Sequence, residues 1–404
     1  MSSQAQPHHL ALDAQALREA VEAHQKYLGG RSGGRRLSLT YADLSNTTLE
    51  GLDLREADFA GANFHGATLA RANLTRGILF GADLREADLR RANLSKADLR
   101  GCCLRGANLA GAELPGCDLR EGRIALQDKL DGFRILRHEH RPGELNYAIL
   151  SGANLAGAQM TGAVAMSADF TDANLAGAQM AGAKLTRAVL DGADLSGADL
   201  SGADLSGASM KRTVLTGANL EHATLADVDM SDVLRAPPAE VLVGDLPLDE
   251  VLAEHEAYCE SDGARGGVCN LSNIDFRPMK VMPKRRFTAM VARNSIFFGL
   301  DLQGVQFQGA DLSGADFRGC DLRGADLRGA KLAGALLTRA DLRDAKLGPL
   351  MIADGRFVRA DFTRATLRNA DLRGAHAARA RFLEADMTGA HLNGCDLTDA
   401  ELEV

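Results

Sequence analysis

Tryptophan is absent from this chain, and only 4% of its 404 residues are aromatic. Such rings dominate the energetics of many cores, and their scarcity suits a narrow interior built from Ala and Leu. Cysteine occurs seven times and never as Cys-x-x-Cys, which removes the common zinc and thioredoxin-like arrangements. No apolar run reaches the length of a membrane-spanning helix. The polar start, Met1 to His9, lacks the apolar stretch of a secretory leader. There is no GxxxxGK[ST], no GxGxxG between a strand and a helix, and no HExxH. These absences lead us to expect a non-enzymatic cytoplasmic protein without cofactor or metal.

What is present is a period of five. The unit reads Ala-Asp-Leu-x-Gly, as in Ala310-Asp311-Leu312-Ser313-Gly314 and Ala325-Asp326-Leu327-Arg328-Gly329. Five fits neither a helix nor a plain strand. Ala and Leu, two apart, share one face of a short extended segment, and the Asp or Asn between them points outward. The last two residues are turn chemistry, with Gly taking the corner. A chain that turns after every unit, always inward on Ala and Leu, winds into a coil. Taking Leu as the centre, one run extends from Leu39 through Leu119 to Ile124, a second from Leu150 to Met230 and a third from Phe297 to Leu402. The second lapses at Ala165 and the third at Ala377.

These residues resemble the pentapeptide repeat family, whose consensus is A(D/N)LxG. The resemblance implies an all-β solenoid, a right-handed quadrilateral β-helix with four units per coil. Each coil then lends its backbone hydrogen bonds to the next, and position n stacks on n+20. On that basis Phe297, Phe317, Leu337 and Phe357 would form one internal column. Asp301, Asp321, Asp341 and Asp361 would form an external column, its repulsion offset by Arg323 and Arg343.

Two segments outside the repeat resemble each other. Leu17 to Tyr27 and Leu248 to Tyr258 both place His seven residues after Leu and Tyr three after His. We expect a short amphipathic helix before each of two rods, with His24, Tyr27, His255 and Tyr258 packed on the rod end, where uncovered strand edges would invite pairing. The expected organisation is a tail and cap over 1–36, a first β-helix over 37–234 with an insertion at 125–147, a linker, second cap and basic lead-in over 235–296, and a second β-helix over 297–404. Five cysteines, Cys102, Cys117, Cys269, Cys320 and Cys395, occupy the small inward position and read as buried hydrophobes.

Two stretches stand out as recognition candidates. The insertion carries Phe133, Arg134, Arg137, His138, Glu139, His140 and Arg141, and function tends to sit on loops that leave a rigid scaffold. Its alternating His pair lacks further metal ligands. The lead-in carries Lys280, Lys284, Arg285, Arg286 and Arg293, interleaved with Met279, Met282, Phe287 and Met290, and reads either as a phosphate-facing patch or as solvated cations over an apolar face.

The net charge is −8, unevenly spread. Residues 148–234 hold ten carboxylates against four cations, whereas 297–404 hold 16 against 14. The leading functional expectation is a protein-binding scaffold, its partner unidentified, with end stacking at the C-terminus as a route to a homo-oligomer. The alternative rests on resemblance alone. Qnr-type members of the family mimic DNA and bind DNA gyrase, and the insertion at 125–147 would parallel their projecting loops. The mild charge and the Arg-rich last rod argue against it.

Overall fold

The computed structural model describes residues 10–11, 13–130, 133–280, 282–353 and 355–402, and of 10–11, 124–130 and 133–139 the backbone alone. The chain divides into two compact units, Met1–Ala236 and Pro237–Val404.

Each unit is a parallel β-helix made of single bridges. In the first, Ser38 pairs with Asp58, Asp58 with Ile78 and Ile78 with Asp98, always four pentads on, and three further ladders run beside this one. Four five-residue units therefore complete one coil. Within a unit the residue roles follow from hydrogen bonding. The Leu44 N–H donates to the Asn63 carbonyl (2.8 Å), and the Asn63 N–H donates back to Ala42 (2.9 Å). The corner closes when the Ala42 N–H donates to Leu39 (3.2 Å). The third corner residue has positive φ, +66° at Gly51 and +64° at Gly197, which explains the glycine of the consensus. The outward Asp or Asn also has a local task. Asp43 Oδ1 accepts the Ser45 N–H at 3.1 Å, and Asp98 Oδ1 the Arg100 N–H at 3.2 Å, the Asx turn for which these side chains are favoured. Ala57, Phe59, Leu84 and Leu104 point inward and are fully buried. Ala165 and Ala377 hold the same inward position, so both lapses keep the register.

The first unit opens with β1 (Leu10–Ala11) and α1 (Ala14–Leu28). β1 pairs in parallel with β2 (Ala42–Asp43), so it lies on an edge of the first coil. Asp13 caps α1 by accepting the Gln15 N–H at 2.8 Å. The coil is interrupted by an antiparallel hairpin, β3 (Gly122–Leu130) and β4 (Phe133–Arg141). The expected limits of the insertion, 125–147, need correction. Cys103 bridges to Glu144 and Leu145 is fully buried, so the rod has already resumed by 144. Ile124, taken as the last centre of the first run, lies in β3.

The second unit opens with a small hairpin, β5 (Leu242–Val243) and β6 (Leu246–Pro247), followed by α2 (Leu248–Glu260). Its β-helix starts earlier than the expected residue 297. Asn270 bridges to Val291, Asp275 to Ile296 and Arg286 to Gln306, and Leu271, Phe276, Met282 and Phe287 are buried in its core. The basic lead-in is thus the first coil of the rod. The first two of these steps are one residue longer than four pentads, which hides them from a strict count.

A second hairpin, β7 (Leu350–Ala353) and β8 (Arg356–Val358), interrupts this rod. Lys331 bridges to Asp361 and Leu336 to Thr366, steps of six pentads in place of four. Two whole pentads have left the coil. Phe297 stacks on Phe317 as expected, with ring centroids 4.6 Å apart, and on Phe276 below it at 4.3 Å. The column then continues through Leu337 to the coil of Leu367, and Phe357 is not in it. Likewise Asp301, Asp321 and Asp341 lead to Asp371, while Asp361 belongs with Lys331.

Candidate interaction surfaces

The caps use one device twice. His24 on α1 is fully buried, and its Nδ1 accepts the Leu37 N–H at 3.0 Å. His255 on α2 is equally buried, and its Nδ1 accepts the Cys269 N–H at 3.3 Å. Tyr27 and Tyr258 lie against these rings, with centroids 5.9 and 6.3 Å apart. Neighbouring groups close other edges of each first coil. The Gln25 amide donates to the Asp53 carbonyl at 2.6 Å, and Glu256 accepts the Arg286 N–H at 3.3 Å. Burial lowers the pKa of both imidazoles.

Two of the five cations of the basic lead-in are spent on structure. Arg285 forms a bidentate pair with Glu256 at 2.9 and 2.8 Å and lies over the Phe287 ring. Arg293 pairs with Asp311 at 2.6 Å. Lys280, Lys284 and Arg286 are exposed and make no ion pair among the described residues. That leaves three cations over buried Met282, Phe287 and Met290.

The outward carboxylates divide into two regimes. Where Arg follows Asp at two residues, the pair is bidentate. Arg323 Nε and Nη2 hold Asp321 at 2.9 and 2.6 Å, and Arg343 and Arg373 hold Asp341 and Asp371 likewise. Two of them also reach one coil up, Arg323 to Asp341 at 3.8 Å and Arg343 to Asp371 at 3.7 Å. The hydrogen bonds from Arg323 and Arg373 hold Asp321 and Asp371 below the usual carboxylate range. In the acidic stretch Ser or Thr stands where Arg would, as at Ser201, Ser206 and Thr171. Ser201 and Ser206 stabilise the charged forms of Asp199 and Asp204. Asp194, Asp199, Asp204 and Asp229 stand on four different ladders, so this negative charge encircles the rod.

The inserted hairpins are the features that break this regular surface. In the first, the expected recognition residues Phe133, Arg134, Arg137, His138 and Glu139 all lie on β4, but their side chains are outside the described residues. His140 pairs with Glu121 at the hairpin base, beside Arg141. In the second, β7–β8, Met351, Ile352 and Phe357 are 62%, 53% and 54% exposed. Met351 and Phe357 are cross-strand partners. Leu350 seats the hairpin against the corner glycines Gly309 and Gly329. The five-residue pattern alone places Ile352 and Phe357 inside. The signal that points the other way is Asp354-Gly355, a hairpin-turn dipeptide of the same kind as Asp131-Gly132 in the first insertion.

Fold and surface together define two repeat solenoids, each preceded by a cap and, among the described residues, each interrupted by an inserted hairpin. The family model for pentapeptide repeats matches residues 38–121, 148–232, 301–348 and 360–399 in overlapping segments, more than half of the sequence. The chain belongs to the pentapeptide repeat family, whose fold is the right-handed β-helix and whose members are generally structural or interaction proteins. Among solved structures it is similar to HetL, a pentapeptide repeat protein involved in heterocyst differentiation regulation from the cyanobacterium Nostoc sp. strain PCC 7120. The identity is 21%, 96% of each chain is covered and the TM-score is 0.29. It is also similar to Rfr23 from the cyanobacterium Cyanothece 51142, at 28% identity over 32% of this chain and 89% of that one, with a TM-score of 0.28. Full-length QnrB1, a plasmid-mediated fluoroquinolone resistance protein, is 21% identical over 50% of this chain and 92% of its own, with a TM-score of 0.21. No curated protein matches the chain. Among the described residues no helix is long and apolar enough to cross a membrane.

Proposed function

We propose that this protein is a non-enzymatic interaction scaffold, in which each β-helix is a rigid support and the inserted hairpins are its recognition elements. The observation that carries the reading is the exposure of Met351, Ile352 and Phe357 on β7–β8, beside a coil whose inward Leu and Ala are fully buried. Clustered apolar side chains left in water mark contact surfaces more often than scattered ones do. Phe and Met are also enriched in the cores of protein interfaces. The seating of Leu350 on the rod supports a fixed presentation, so little ordering is needed on binding. The first hairpin, with its charged β4 sequence, would be a second and more polar element. A DNA-like surface needs unbroken negative charge along the rod, and the pairing of outward Asp with Arg in the last rod, as at Asp321, Asp341 and Asp371, favours the scaffold over a gyrase-binding mimic.

The test is co-purification from the native cell with three proteins: the unaltered chain, a Met351→Asp/Phe357→Asp variant, and a chain lacking residues 122–142. Melting temperatures serve as folding controls. A stable partner lost only from a hairpin variant supports the reading and assigns the hairpin. An identical set of proteins recovered from all three would sink it. Gyrase subunits lost on removal of 122–142 would favour the mimic instead.

A further inference from the structure

We infer that His24 and His255 are acid-sensitive latches, each fastening a cap helix to its rod through one neutral imidazole nitrogen beside the contacts of Gln25 and Glu256, and that their protonation loosens the cap and uncovers the first coil for strand pairing with another chain. The argument starts from valence. A backbone N–H can only donate, so the nitrogen it meets must carry a lone pair. Nδ1 of His24 receives the Leu37 N–H and Nδ1 of His255 receives the Cys269 N–H. Each ring is therefore the neutral tautomer with its proton on Nε2. A second proton has only Nδ1 to go to, where it would face the incoming N–H, two donors aimed at each other. The hydrogen bond cannot survive that, and a buried N–H left without an acceptor is itself unfavourable.

The surroundings of the two rings set the threshold. Burial is the largest influence and keeps both neutral. Around His24, the Arg55 backbone carbonyl and the Asp53 and Glu56 carboxylates favour a proton, and Arg36 opposes it. Its Nε2 makes no hydrogen bond of normal geometry among the described residues. Around His255, the Gly267 and Thr288 backbones and Glu256 favour a proton. Its Nε2 lies 3.5 Å from the Cys259 thiol, whose own donor reaches the Thr288 carbonyl. The Phe287 ring packs on its other side, 6.5 Å away between centroids.

The same construction stands at the start of both units with different neighbours, so it belongs to the design of the cap. What the latch protects is specific. Behind it lie edges of the first coil that the cap residues themselves pair, and strand edges left unpaired when a cap lifts recruit other chains. Because the folded rings hold protons less tightly than the ordinary value of 6.5, the closed cap is favoured above that pH. It loses ground as pH falls below 6.5, until the folded value is reached.

The experiment uses the full chain and reads three quantities across pH 7.5 to 5. Amide exchange of Ala14–Leu28 and Leu248–Glu260 reports cap opening. It should rise by about tenfold per pH unit below 6.5, beyond the intrinsic pH dependence of exchange, because one proton binds on opening of each cap. Sedimentation should show self-association over the same range. Imidazole 15N shifts should show both rings as the Nε2–H tautomer at pH 7.5. A His24→Asn/His255→Asn variant keeps an acceptor oxygen near the Nδ1 position without a titrating group, so its caps should stay closed and monomeric to pH 5. The same acid response in this variant as in the unaltered chain would overturn the proposal. If the variant does not fold, the 15N shifts decide alone. Rings that titrate at their ordinary value while the caps stay protected would overturn it equally.

Discussion

The Leu337 N–H donates to the Thr366 carbonyl at 2.7 Å, at the height on the rod where the regular coil spacing would bring Arg356. The two pentads between these registers form the β7–β8 hairpin and its flanks. Removing Pro349–Val358 should therefore restore the four-pentad step. Such a deletion is expected to fold with a melting temperature close to that of the full chain, since long surface insertions add little to stability. Loss of cooperative unfolding would show that the hairpin is part of the support.

Leu327 and Ile352 occupy the same place in the five-residue pattern but opposite environments, one fully buried and one half exposed. Leu327→Asp puts a carboxylate in the interior without a partner and should unfold the neighbouring coils. Ile352→Asp should change stability by no more than about 0.5 kcal/mol. Thermal melts of the two variants side by side measure this, and equal losses would refute the inward and outward assignments.

Gly34 and Gly266 lie against the cap helices. A Cβ on Gly34 would overlap the Tyr27 backbone, and one on Gly266 the Glu254 carbonyl. Gly34→Ala and Gly266→Ala should each loosen one cap, seen as faster amide exchange confined to that helix. Gly197→Ala meets open space and should be milder, about 1 kcal/mol for the left-handed backbone at φ +64°. A milder effect at Gly34 than at Gly197 would contradict the close packing.

Arg318 and Asp316 form a largely buried ion pair, with side chains only 6% and 10% accessible. Arg318→Ala leaves a buried carboxylate without its main partner and should cost about 3–5 kcal/mol. Arg55→Ala, at the exposed pair with Asp53, should leave the urea midpoint almost unchanged, since solvent screens such a pair. Urea denaturation distinguishes the two.

Acid should act on the rods later than on the caps. Asp321 and Asp371 have folded values below the ordinary 3.8, first because Arg323 and Arg373 hydrogen-bond their charged forms. Depressed carboxylates contribute stability that is complete above 3.8 and lost as pH falls through the folded value. Circular dichroism should therefore report loss of β signal only below about pH 4, well after the helices loosen. A single transition covering both would argue that caps and rods unfold as one.

Much of this architecture was legible because the period of five encodes it directly: inward Ala and Leu, outward Asp, corner Gly. The duplicated cap was legible through the equal spacing of His and Tyr. The β7–β8 hairpin was not, because an insertion of two whole pentads leaves the period unbroken and places Ile352 and Phe357 where centres should be. The first hairpin showed itself by slipping the frame. The lead-in of the second rod was hidden for the opposite reason, since its coil holds one extra residue and substitutes Phe and Met for Leu. Side-chain roles on β4 stay an expectation, as composition marks a charged stretch without saying which groups converge.

The stacking of one coil on the next also gives each rod a scale. Coils advance by about 4.8 Å, so the hairpin after Leu119, four steps from Leu39, stands about 19 Å along its axis from the first coil. The one after Leu347, three steps from Phe287, stands about 14 Å along its own. Adding or removing four pentads would move either by one graduation without turning it to another side. The rod therefore works as a ruler, on which the height and heading of a displayed hairpin are set separately, by how many pentads precede it and by which of four corners it leaves.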